Sequence, residues 1–154
     1  MGLFVNKTKL NAAVFSMPQF CPIVRTIFPV SVNDTVVEAA TFFLYLQVAR
    51  DTMGKRFAVR LGEELIERTR VPRDEVSKIV TKLSQQVASI PPNIEFHEHV
   101  SRMISFLLAE AGCSTTDEEV LQICFSRFDS AVSGIKQHLD GIKTQNVRVL
   151  KRAS

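Results

Sequence analysis

An all-α fold is predicted from the sequence: a bundle of about five helices preceded by an extended, proline-punctuated N-terminal arm. Three observations predict it. From Asn33 onward, apolar residues recur at helical spacing. Proline, glycine and short polar residues stand at the edges of those stretches, where helices start and stop. The composition is that of an ordinary globular chain, with 154 residues, 45% hydrophobic and 23% charged, and six each of Gly and Pro. That excludes collagen, low-complexity and intrinsically disordered classes. A chain of this length buries roughly 70% of its unfolded surface, so the fold needs no disulfide or metal staple.

Residues 1–33 differ from the rest. Pro18, Pro22 and Pro29 punctuate them, yet Leu3, Phe4, Val5, Phe15, Phe20, Ile23, Ile27 and Phe28 make them apolar. Proline removes a backbone donor and discourages helix before it, which predicts an extended arm packed on the domain or on a partner. The β-branched run Ile23 to Val32 suits a short strand.

A bundle domain is assigned to residues 34–145. Asn33 or Asp34 caps its first helix, which runs to about Asp51, with Gly54 marking the end. Phe42, Phe43, Leu44, Tyr45 and Leu46 make this helix apolar on every face, the pattern of a central helix. A second helix over about Lys55–Thr69 turns Phe57, Ala58, Leu61, Leu65 and Ile66 inward. Pro72 opens a third, with Asp74 and Glu75 at its positive end, and Pro91-Pro92 stops it. Asn93 suits the cap of a fourth helix, carrying Phe96, Val100, Met103 and Leu107 and ending at Gly112. Thr115 or Thr116, with Glu118 or Glu119, reads as a capping box for the fifth.

The fifth helix holds the strongest pattern. Leu121, Phe125, Phe128, Val132, Ile135, Leu139 and Ile142 follow steps of four and three throughout. Such a 3.5-residue period makes a narrow seam that keeps facing one partner helix. Together with the apolar arm, the seam supplies more hydrophobic surface than one small domain needs. These residues are therefore the expected interface, and the expected partner is a second copy of the chain or another protein. Gly134 and Gly141 on the outer side predict either fraying near the helix end, the favoured reading, or a close approach to the backbone there.

Charge is unevenly placed. Residues 1–70 hold nine basic and six acidic residues (+3), residues 71–135 five and nine (−4), and residues 136–154 five and one (+4). The basic C-terminal tail, residues 146–154, is small beside true nucleic-acid-binding arms. No stretch of about 18 uncharged apolar residues occurs, so no membrane span is expected. Cys21, Cys113 and Cys124 form no CxxC pair and predict neither a disulfide framework nor a zinc site. With no signal-peptide layout, the cytoplasm is the expected compartment.

One local motif points to chemistry. Leu61 to Leu83 has the rhythm of a helix-turn-helix: one helix closes at Thr69, Val71 sits in a tight turn, and a second buries Val76, Ile79 or Val80, and Leu83. Arg73, Ser77, Lys78, Thr81 and Lys82 then face outward, and these types meet phosphates and base edges. The stretch resembles the corresponding part of winged-helix regulators of the MarR type, over about 20 of the 154 residues. The resemblance implies DNA binding as the alternative function. Three features depart from it. Arg70 replaces the turn glycine, Asp74 and Glu75 stand where phosphates would approach, and no β-hairpin signal for a wing follows.

Other constellations are thin. His97 and His99 are two apart, about 200° around a helix, so they do not chelate together, and Glu98 with Arg102 makes a better i,i+4 ion pair. There is no GxSxG, no phosphate-cradling glycine loop and no GKS/T. No catalytic residue, metal or cofactor is assigned. The expected function is a non-catalytic helical interaction or adaptor module that self-associates. A third reading, a small-ligand sensor, has Phe42, Phe43 and Tyr45 lining a pocket.

Overall fold

The structure, a computed structural model, describes residues 6–68 and 72–153, with side chains up to residue 144. It is an all-α bundle, and no strand occurs among the described residues. Helix α1 (Lys7–Ser16) continues through a 3₁₀ turn (Met17–Phe20) into the short α2 (Cys21–Arg25). Then come α3 (Asp34–Met53), α4 (Lys55–Glu67), α5 (Arg73–Ala88), α6 (Phe96–Glu110) and α7 (Glu118–Ala153).

The all-round apolar helix is central, as its pattern requires. Helices α2, α4, α5 and α7 all pack on α3, whose Phe42, Phe43, Leu44 and Tyr45 are buried. Its ends carry the expected signals. The Asn33 side chain accepts the Val36 N–H at 2.9 Å, and Gly54 takes φ 96°, a left-handed conformation that a side chain would strain.

The N-terminal segment departs from expectation. Within the described residues it is not extended, and Ile23 to Val32 form a helix end and a bend instead of a strand. The reason lies in where the prolines fall. Pro18 and Pro22 each sit in the first turn of a helical element, where the missing N–H has no intrahelical partner anyway. Asn6 supplies the cap of α1, accepting from the Lys9 N–H at 3.1 Å. Leu10, Ala13, Val14, Met17, Phe20, Val24, Ile27 and Phe28 are all buried in the common core. Leu3, Phe4 and Val5 lie outside the described residues.

Other boundaries shift by a few residues. Helix α6 begins at Phe96 without a side-chain cap, so Asn93 does not cap it. The cap of α7 is Asp117, whose Oδ1 accepts the Glu119 N–H at 2.9 Å, while Thr115 Oγ1 accepts from the Asp117 N–H. Helix α7 runs on through both Gly134 and Gly141 without fraying. A methyl group at Gly134 would meet the Phe20 ring at an ordinary 3.9 Å, and one at Gly141 would meet open space.

Candidate functional site

The seam of α7 lies largely inside the chain. Phe128, Ile135, Leu139 and Ile142 are buried, and Leu121, Phe125 and Val132 are half-buried against the same core. Cys124 and Ala131 join them, so the buried stripe is broader than the heptad. It faces α1, α2, α3 and α6 of its own chain rather than one partner helix. Self-association along the whole seam would require opening the bundle. The half-buried end is occupied too, since His97 stacks on Phe125 with ring centroids 4.8 Å apart.

The helix-turn-helix candidates fall on α5. Ser77 is half-buried, and Arg73, Lys78, Thr81 and Lys82 are exposed. Ser77 and Thr81 line a groove with Glu63 and Glu67 of α4. Lys82 is paired with Glu110 at 3.1 Å. Two carboxylates across the groove repel a phosphate backbone, and with no strand among the described residues there is no wing there. Thr69, Arg70 and Val71 lie outside the described residues.

Two concave features flank α4. One is a groove of about 430 Å³ between α4 and α5, floored by Phe42 of α3 and walled by Ile66 and Val80. It exists because α4 and α5 each pack broadly on α3 and hardly on each other. The other is a cavity of about 180 Å³ where α1 and the 3₁₀ turn meet α3 and α4. Val14, Met17, Pro18 and Leu65 give it an apolar lining, while Glu38 and Arg68 bring one charge of each sign. Phe15 stands on its rim, 78% exposed, with the Arg68 guanidinium 5.8 Å from its ring centre. In the sequence Phe15 is only one apolar residue among many in the N-terminal segment. Once α1 is helical, the inward positions go to Leu10, Ala13, Val14 and Met17, and Phe15 is left facing water.

The remaining reactive groups are held quiet. Burial pushes up the Cys21 thiol, with an opposing hydrogen bond to Thr41, and also the Cys113 and Cys124 thiols. That is the reverse of the activation a nucleophile needs. Tyr45 donates to the Ala13 carbonyl at 2.6 Å, and burial pushes its hydroxyl well above the usual range. Phe43 and Tyr45 pack in the core, and of the aromatics of α3 Phe42 floors the α4–α5 groove. The Glu98–Arg102 pair forms at 2.9 Å. Among the described residues no three His, Cys, Asp or Glu side chains gather to hold a metal ion. Nor is any described helix long and apolar enough to cross a membrane. No protein-family model, curated protein or solved structure matches this chain.

Proposed function

We propose that the chain is a helical interaction module that pairs with a second copy of itself through the face formed by α1 and α4. The observation that carries this reading is Phe15, a phenyl ring held in water beside an apolar cavity. Burying such a ring is worth about 1.5–3 kcal/mol, which the isolated chain forgoes. Knob and hole stand side by side on one surface. A two-fold axis between copies therefore seats each Phe15 in the other copy's cavity, the self-complementary arrangement of an isologous contact. The charges obey the same symmetry, because Glu38 and Arg68 on one copy meet Arg68 and Glu38 on the other.

Sedimentation equilibrium at about 0.5 M salt, where surface ion pairs are screened, tests this. The wild-type chain is expected to show a concentration-dependent dimer at micromolar concentration. Phe15→Ser is expected to weaken it at least tenfold, and at concentrations low enough for both chains to be monomeric the thermal melt is expected to be unchanged, since the ring is already exposed. A single-chain mass for the wild type across that range, or a dimer indifferent to Phe15→Ser, overturns the reading.

A further inference from the structure

The charges of the chain are segregated along the bundle. Glu38 shares a cavity with Met17 and Pro18, and Tyr45 reaches the Ala13 carbonyl, so α1 runs antiparallel to α3. Six residues back from Ala13, Lys7 therefore falls level with the last turn of α3. Gly54 alone joins that turn to the start of α4. In the same turn Lys143 of α7 donates from Nζ to the Thr52 carbonyl at 3.2 Å. Four helices thus bring Lys7, Lys9, Arg50, Lys55, Arg56 and Lys143 to one end of the bundle, with the carboxylates of Asp51 and Asp140 among them. The other described side chains are nine Lys or Arg against fourteen Asp or Glu, so this end is positive and the remainder negative.

The acidic remainder stands well back. Glu63 is eight residues along α4 from Lys55, about 12 Å. Glu95 and Glu98 flank His97, which stacks on Phe125, and Phe125 is eighteen residues along α7 from Lys143, about 27 Å. Both separations exceed the Debye length of about 10 Å at 0.1 M salt. Helix stability does not select these cations. Lys7 and Lys55 each open a helix, where the positive end disfavours a cation, and neither α1 nor α4 has an acidic residue in its first turn. Among the described residues Lys7, Lys9, Arg50, Lys55 and Lys143 form no ion pair.

We propose that this end of the bundle docks on the headgroups of an anionic lipid bilayer. Clusters of about four to eight Lys and Arg are what such surfaces attract. End-on contact with a plane puts the cations on the headgroups and keeps the acidic flanks out of reach of their charge. A nucleic acid fits less well, because a long polyanion that continues past this end meets those flanks. Nor is an exposed aromatic ring available among the cations for bases to stack on; Phe15 lies eight residues from Lys7 along α1, about 12 Å. The cluster shares no residue with the Phe15 contact, so the two readings stand or fall separately.

Vesicle co-sedimentation of the full-length chain, at concentrations below those of self-association, tests this. Binding is expected to phosphatidylcholine vesicles carrying about 30% phosphatidylserine at about 50 mM salt, at least tenfold weaker at about 500 mM, and absent with phosphatidylcholine alone. Lys7→Glu/Lys55→Glu is expected to weaken binding at least tenfold while raising the thermal melt, because each carboxylate now favours the positive end of its helix. Arg73→Glu/Lys78→Glu changes the net charge equally, but on α5, and is expected to bind within about twofold of the wild type. No binding to the anionic vesicles, binding that persists in Lys7→Glu/Lys55→Glu, or an equal loss in Arg73→Glu/Lys78→Glu overturns the proposal. So does tighter binding to duplex DNA or single-stranded RNA than to the vesicles at the same salt.

Discussion

The segment Lys7–Phe28 and helix α6 invert the weight that their sequences suggest. Helix α6 has a regular apolar stripe, yet it packs chiefly on α5 and α7 rather than on the central α3. The N-terminal segment has two prolines and no steady period, yet it packs on α3, α4 and α7. Long-range polar ties fasten it as well: Tyr45 to the Ala13 carbonyl, Arg127 to the Thr26 carbonyl at 2.8 Å, and Arg25 to Asp34. Periodicity thus reports that a helix has an inner face. How central that face becomes depends on total apolar load and on what the segment touches across the chain.

The largest expected effect sharpens this contrast. Phe20 packs against Tyr45 and His138, with ring centroids 5.9 and 5.5 Å away. Phe20→Ala removes a ring wedged between α3 and α7 and is expected to cost about 3–5 kcal/mol in urea unfolding. The loss should appear as one cooperative transition, as if the core itself were cut. A separate early transition with the rest of the bundle intact would show the segment to be an appendage after all.

Much of the bundle was legible because its signals are local. Asn33, Gly54, Gly112 and the apolar faces of α3 to α7 act within a few residues of themselves, so sequence spacing reveals them. The helical N-terminal segment is not legible in the same way, because proline has two opposite meanings. Pro18 and Pro22 break a helix in its interior but open one in its first turn, and only the Asn6 cap hints which applies. The destination of the α7 seam was hidden for a different reason. A strict heptad specifies that something covers it, and the same pattern serves a partner chain or the chain's own α1, α2 and α3. Phe15 was illegible as a site because its exposure follows from the helical register of α1 and from a cavity built by three other elements.

An intermediate effect tests whether polar ties add to the burial. Tyr45→Phe keeps the ring and deletes the hydroxyl that reaches Ala13 across 32 residues. The Ala13 carbonyl then loses a buried donor, which is expected to cost about 1–3 kcal/mol. Hydrogen exchange should report the loss first in α1 and later in α6. Equal change in both would mean that α1 and α6 open together, erasing the distinction between them.

The smallest effect is pH-dependent and again separates the two regions. Burial against the Phe20 ring lowers the pKa of His138 from its usual 6.5, and among the described residues its buried Nε2 has no hydrogen-bond partner. The unfolded chain therefore binds this proton more readily than the folded one. Stability from this site is complete above the unfolded value and is lost as pH falls from there through the lower folded value. Solvent access at the half-buried ring keeps the loss small. Unfolding free energy measured from about pH 7.5 to 5.5 should fall more steeply for the wild type than for His138→Gln, which cannot take up the proton. Because protonation draws the imidazole toward water and away from Phe20, the acid-sensitive step should loosen the 3₁₀ turn and α1 before α6. An unchanged slope in His138→Gln would place the acid sensitivity elsewhere and leave the Phe20–His138 contact as packing alone.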